Sequence, residues 1–206
     1  MKETDVYSEL ASIRSLMERS SKFISLSGLS GVMAGIYALV GSYFAYRILY
    51  KNPAALTEGN FDAYAPAIWP SLVVIALTVL ILSVTTGLFL SSRQAKKEGQ
   101  PFWNPVSKRL FAHMTLPLTT GGIFIVILLA QGNYHLLAPA CLLFYGLSLV
   151  AGSQYTFSDV KWLGICEIVL GLLSAAIPGY GLLFWAFGFG ILHILYGSIM
   201  HFKYKQ

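Results

Sequence analysis

Long stretches without a charged residue place the strongest constraint on how this chain folds. From Leu110 to Ser158 no Asp, Glu, Lys or Arg occurs, and residues 23–46 form another uncharged run. Of the 206 residues, 56% are hydrophobic and 11% are charged, whereas about a quarter of an ordinary soluble domain is charged. A folded chain of this composition exposes many apolar side chains, so its surroundings must be lipid rather than water. The sequence therefore predicts an all-α, polytopic integral membrane protein.

The apolar runs divide into six transmembrane helices, paired in three antiparallel hairpins. Gln131-Gly132-Asn133 supplies a turn within the long central run, and Pro178-Gly179-Tyr180-Gly181 divides the last one. The first run is long enough to cross about 30 Å of hydrocarbon. The predicted spans are residues 23–46, 69–92, 110–131, 135–154, 161–178 and 181–201. They form one domain, 23–201, between an N-terminal segment, 1–22, and a tail, 202–206.

The distribution of basic residues predicts the orientation. If the N-terminus is inside, only Arg47 and Lys51 of the 14 Lys and Arg residues fall in outer segments. Basic residues are concentrated on the cytoplasmic side of membrane proteins. Both termini are therefore expected in the cytoplasm, N-in and C-in. The predicted inner residues are Lys2, Arg14, Arg19, Lys22, Arg93, Lys96, Lys97, Lys108, Arg109, Lys161, Lys203 and Lys205.

The N-terminal segment reads as a short amphipathic helix over residues 4–20. Val6, Leu10, Ile13 and Met17 recur at spacings of four, three and four, which places them on one helix face. Such a helix either lies on the inner leaflet or docks onto a protein partner or a second copy of the chain. Both interpretations remain open from the sequence.

Basic residues in the inner loop point to lipid rather than to nucleic acid. Residues 93–109 combine Lys and Arg with the aromatic run Pro101-Phe102-Trp103-Asn104-Pro105. The net charge of +5 therefore collects at the ends of apolar runs, where anionic lipid headgroups lie. We expect the bilayer, including its anionic lipids, as a partner and no nucleic acid.

Stripes of small residues indicate where the helices pack. Without a hydrophobic driving force in lipid, close backbone approach at small residues is the main association signal. The stripes are Gly28, Gly31, Gly35, Ala38 and Ser42 on the first span, Gly164, Glu167, Gly171 and Ser174 on the fifth, and Ala186, Gly190, His193 and Gly197 on the sixth.

Glu167 is the only Asp, Glu, Lys or Arg deep within a predicted span. A charge at that depth is costly, so such a residue usually faces the protein interior and has a partner. Glu167 and His193 lie equally far from the turn at Tyr180, which places them at equal depth on antiparallel neighbours. We expect the two side chains to face each other. Pairing favours a charged couple and burial favours neutral forms, and both remain open.

His113 on the third span is a candidate third member of this site. Three interpretations compete: a structural buried pair, a proton or ion pathway through Glu167, His193 and His113, and metal or haem ligation. A structural pair needs no further partner, and the threonines near His113 would then bond to their own backbone. No catalytic residues, metal ligands or cofactor are predicted, because no hydrolase, nucleotide-binding or Cys-x-x-Cys motif occurs.

The segment from Glu9 to Gly35, ELASIRSLMERSSKFISLSGLSGVMAG, resembles a group of uncharacterised bacterial membrane proteins. The resemblance implies a small, multi-pass protein of the bacterial inner membrane. It brings no catalytic residues.

Three classes of function remain after these exclusions. The first is a non-enzymatic membrane module that binds a partner or relays a signal through the N-terminal helix and the glycine-rich first span. The second is a small proton- or ion-linked transporter that uses Glu167 and His193. The third is a membrane enzyme or redox protein, for which the sequence assembles no site.

The orientation generates a labelling prediction. Single cysteines at Gly99 and Gly59, in a background lacking Cys141 and Cys166, should react from opposite sides of the membrane. An impermeant maleimide added outside intact cells should label position 59 alone. Labelling of position 99 under these conditions would reverse the predicted topology.

Overall fold

The computed structural model describes residues 27–50, 61–99 and 101–203, which contain helices and turns but no strand. The predicted amphipathic helix at residues 4–20 lies outside the described residues. Short 3-10 turns, Tyr134–Leu136 and Ser153–Tyr155, flank the fourth helix. The helices are α1 (Gly28–Tyr50), α2 (Phe61–Lys97), α3 (Pro105–Ala130), α4 (Leu137–Gly152), α5 (Asp159–Ala176) and α6 (Gly181–Lys203).

Most of these helices have the length and composition of membrane spans. Among the described residues, five stretches are long and apolar enough to cross a bilayer: Gly28–Leu49, Ile68–Lys97, Pro105–Ala130, Tyr134–Tyr155 and Gly181–Lys203. Large apolar side chains such as Phe202 and Leu116 are 79% and 72% exposed, which suits a surface in contact with lipid. The chain is therefore a multi-pass, all-helical membrane protein. Helix α5 is shorter and carries Asp159, Lys161 and Glu167.

The helices extend beyond the predicted spans at the inner loop. Helix α2 continues to Lys97 and α3 begins at Pro105, so helical structure covers both ends of the inner segment predicted over residues 93–109. Asn104 caps α3 with two hydrogen bonds. Its side-chain Oδ1 accepts from the backbone amide of Ser107 at 2.8 Å, and its backbone amide donates to Ser107 Oγ at 2.9 Å. Charged residues mark the edge of the hydrocarbon, whereas a helix ends only where its terminal amides and carbonyls find other partners.

The small-residue stripes form two seams in which helix backbones touch. On the α1–α6 seam, a Cβ atom added to Gly197 would lie 2.6 Å from the Gly28 carbonyl oxygen and 2.5 Å from the Val32 nitrogen. On the α4–α5 seam, a Cβ atom on Gly146 would lie 2.6 Å from the Gly164 carbonyl oxygen. Real Cβ atoms do not approach backbone so closely, so these positions require glycine. The stripes therefore bind helices of this chain to one another.

Helix α2 stands apart from most of this assembly. Among the described residues it packs extensively against α1 alone. The Tyr37 hydroxyl lies 3.3 Å from Thr86 Oγ1 across that contact. Near the start of its described side chains, Trp69 stacks on Tyr134 with ring centroids 4.8 Å apart. The gap between α2 and the helices α3 and α4 is consequently bridged at one end by an aromatic stack.

The seam predicts opposite effects for one substitution at two glycines. Gly197→Ala should destabilise the fold by about 1–3 kcal/mol, because the new methyl group overlaps the α1 backbone. Gly87→Ala is the matched control, since a methyl group added there meets no atom within 4 Å, and it should stabilise α2 by up to about 1 kcal/mol. Thermal unfolding of the purified variants in detergent, followed by circular dichroism, measures both. Equal shifts in Tm for the two variants would contradict the close backbone contact between α1 and α6 at Gly197.

Candidate functional site

Glu167 of α5 is fully buried, with 0% of its surface exposed. Its carboxyl group packs against Gly188 of α6: a Cβ atom on Gly188 would lie 2.5 Å from Glu167 Oε2 and 2.7 Å from Cδ2 of Leu142 on α4. In the part of the chain that the structure describes, neither carboxyl oxygen has a hydrogen-bond partner. The missing side chain of Gly188 thus creates the space that the carboxyl group occupies.

His193 of α6 lies beside this carboxyl group, as the equal spacing from the turn predicts. The distance from His193 Nδ1 to Glu167 Oε1 is 3.5 Å, and His193 is 5% exposed. Nδ1 also donates to the Gly188 carbonyl oxygen at 3.0 Å, because a carbonyl can only accept. The Tyr145 hydroxyl is 2.8 Å from Nε2, so in the neutral ring Nε2 accepts from Tyr145. The imidazole therefore links the buried carboxyl to a tyrosine on α4.

The helix type of α6 changes next to His193. Residues Ala186–Leu192 of α6 form a π-helical segment that continues into α-helix at His193. Segments of this kind occur often at functional sites. Here the Gly188 carbonyl oxygen accepts from the side chain of His193, five residues later. One signal for this irregularity is present in the sequence, the run Ala186-Phe187-Gly188-Phe189-Gly190, in which two glycines lower the preference for α-helix.

The structure does not bring His113 to Glu167 and His193. His113 is exposed on α3, where its Nε2 lies 3.0 Å from the Tyr155 hydroxyl and its ring stacks on Tyr155 with centroids 4.9 Å apart. The nearby Thr115 and Thr120 hydroxyls donate to carbonyl oxygens of their own helix. The third member of the cluster is instead Tyr145, which sequence reasoning missed.

A cavity of about 1120 Å³ lies next to His193. It extends along α1 from Gly28 to Leu49, and residues of all six helices line it. Sites for small molecules typically measure about 300–1,000 Å³ and are mainly apolar. Its lining, as far as the described residues form it, contains no Asp, Glu, Lys or Arg, so these walls are apolar apart from a few polar side chains.

His193, which lies beside Glu167, belongs to a group of aromatic side chains on the cavity surface. We call Tyr145, Trp185, Phe189 and His193 the aromatic wall, since all four line the cavity and each ring contacts at least one other ring of the set. Their ring centroids are 5.1 Å apart for Tyr145–Phe189, 5.2 Å for Trp185–Phe189 and 5.9 Å for Phe189–His193. Glu167 itself does not line the cavity and lies behind His193. The arrangement places one buried acid a single imidazole ring away from a large apolar space.

Metal ligation finds no support in this geometry. Within residues 27–50, 61–99 and 101–203 no group of three or more His, Cys, Asp or Glu side chains is close enough to hold a metal ion. Cys141 and Cys166 are both free thiols, and of the two only Cys141 lines the cavity.

Comparisons of the chain with models of protein families, with curated proteins and with solved structures found no match.

The contact between Glu167 and His193 predicts non-additive stabilities. Glu167→Gln and His193→Gln should each lower the stability, and the double variant should lose less than the sum of the two. The coupling free energy should be near the average for polar contacts in membranes, about 0.6 kcal/mol, with an upper range of about 1–3 kcal/mol for a buried partner left unmatched. Thermal and chemical unfolding in detergent provide the measurement.

His113→Gln supplies the matched control for this cycle, because His113 is an exposed histidine bonded to a different tyrosine. Combined with Glu167→Gln it should give additive losses. Additivity in both cycles would show that Glu167 and His193 do not interact.

Proposed function

We propose that this protein is a small proton-linked carrier of a bacterial inner membrane, which moves an amphipathic solute through its intramembrane cavity. The proposal includes six spans in three hairpins with both termini in the cytoplasm. The ion pair between Lys203 Nζ and Asp159 Oδ2, at 3.0 Å, supports the last hairpin because it joins the end of α6 to the start of α5.

The observation that carries the proposal is the buried, unbonded carboxyl group of Glu167 behind the aromatic wall. An ionised carboxylate in an apolar interior is very costly, whereas the protonated form is not. A group in this position changes its protonation state only when its surroundings supply a compensating charge or dipole. The cavity beside His193 is the place where an arriving solute supplies one, which links occupancy to proton movement.

The π-helical segment of α6 gives independent support. Carriers commonly place their binding sites where a membrane helix is interrupted. The sequence alone indicates no interrupted span, and by itself this argues against transport. Helix α6 nevertheless departs from α-helix over Ala186–Leu192, at the depth of the aromatic wall.

The partner-binding or signal-relay function has less support from the described residues. It depends on a glycine-rich first span that is free to pack against something else. Gly28, Gly31 and Gly35 of that span instead pack against α6 of the same chain. The docking role of residues 4–20 stays a prediction, since those residues lie outside the described ranges.

Proton-linked transport is testable without knowing the natural solute. Proteoliposomes with a trapped pH-sensitive dye receive three non-titrating amphiphiles in turn: a quaternary ammonium cation, a sulfonate anion and a neutral glycoside. At least one should drive proton movement through the wild type. Glu167→Gln should reduce the rate to that of protein-free vesicles, because no Asp or Glu of the described residues then remains next to the wall.

Glu98→Gln is the matched control, since Glu98 is an exposed acid next to the short inner loop, outside the cavity. It should retain the wild-type rate. Proton movement with none of the three solutes, or an unchanged rate in Glu167→Gln, would contradict the proposed function.

A further inference from the structure

We infer that the solute is a lipophilic cation, which binds against the aromatic wall in exchange for the proton of Glu167. The inference rests on the proposed function and adds the charge class of the ligand and the stoichiometry of its exchange.

The aromatic wall supplies the first argument. The negative faces of aromatic rings attract a cation within about 6 Å of a ring centroid, and tryptophan does so most strongly. The ring centroid of Phe189 lies 5.1 Å from that of Tyr145 and 5.2 Å from that of Trp185, so a cation that contacts the Phe189 ring is within reach of the other two. The same rings repel an anion and give a neutral molecule no electrostatic preference.

The distribution of charge supplies the second argument. Among the described residues no Lys or Arg lines the cavity, so none of them attracts an anion or repels a cation there. The acidic side chain next to the wall is Glu167, whose Oε1 lies 3.5 Å from His193 Nδ1. Because electrostatic attraction is strong where water is scarce, a carboxylate one ring behind the wall still favours a cation in front of it.

The carboxyl group also fixes the stoichiometry. Both oxygens of Glu167 lack hydrogen-bond partners in the described structure, and His193 Nδ1, which lies 3.5 Å from Oε1, directs its proton to the Gly188 carbonyl oxygen instead. No hydrogen bond therefore stabilises the ionised form when the cavity is empty. Binding of a monovalent cation provides the missing charge. The carboxylic acid then releases its proton to bulk water, and the carboxylate and the cation remain as a neutral pair. One proton leaves for each cation bound, and no other reactant is needed.

Two ions of nearly equal size and shape but opposite charge test the inference on the purified full chain in nanodiscs. Equilibrium dialysis with radiolabelled tetraphenylphosphonium should show saturable binding above protein-free nanodiscs, whereas tetraphenylborate should show none. In weakly buffered solution, an indicator dye should report one proton released per cation. Glu167→Gln should abolish this release and weaken cation binding about tenfold or more, whereas Glu98→Gln should change neither.

The aromatic wall is tested independently of the carboxyl group. Trp185→Leu should weaken tetraphenylphosphonium binding by about two- to fivefold, the loss of one cation–π contact. Trp103→Leu is its matched control, since Trp103 is exposed and outside the cavity. These variants retain Glu167, so a folding defect of Glu167→Gln does not prevent the test.

Saturable tetraphenylborate binding equal to that of the cation, or cation binding without proton release, would overturn the inference. Proton-linked movement of the sulfonate or the glycoside in proteoliposomes, together with an absence of cation binding, would refute only the inference that the solute is a cation. The proposed function as a proton-linked carrier would then stand. Absence of proton movement with all three amphiphiles would refute both.

Discussion

Backbone contact at glycines is the constraint on which the rest of this assembly depends. In a bilayer, an apolar side chain gains little by exchanging contact with lipid for contact with protein. Helices therefore associate where small residues let their backbones touch. Gly197 joins α6 to α1 in this way, and Gly146 joins α4 to α5. The two seams hold the helices that carry Tyr145, Glu167 and His193. Helix α2 packs extensively only on α1 among the described residues, and the space left beside it becomes the cavity.

The site that these seams create is poorly explained as packing alone. A structural acid in a membrane protein normally satisfies its oxygens with nearby donors. Here the Nδ1 proton of His193 points to the Gly188 carbonyl at 3.0 Å, and the carboxyl of Glu167 is left at 3.5 Å from the same nitrogen. A buried polar group without a hydrogen-bond partner calls for an explanation, and a functional change in its protonation state is one such explanation. A buried hydrogen-bonded pair, the simplest interpretation of the sequence, would look different.

Much of this arrangement follows from sequence, and the remainder depends on long-range geometry. The helical class and the several long apolar helices follow from the uncharged runs, and the contact between Glu167 and His193 follows from their equal distance to one turn. Tyr145 carries no charge and lies on another helix, so spacing along the chain does not reveal it. The π-helical segment breaks the assumption of 3.6 residues per turn. The cavity reflects contacts that α2 does not make among the described residues, which no local pattern in its sequence records.

Gly188 connects the acid to the shape of the cavity. Its carbonyl oxygen accepts from His193, and its missing side chain leaves room for the Glu167 carboxyl, so one backbone position serves both groups. Trp185, Phe189 and His193 are carried by the same helix and line the same space. A carboxyl group that changes charge alters its attraction to the imidazole 3.5 Å away, and the imidazole is bonded to the backbone that carries the wall. In the proposed carrier, these few bonds of α6 are the route by which a change in the protonation of Glu167 reaches the wall of the cavity.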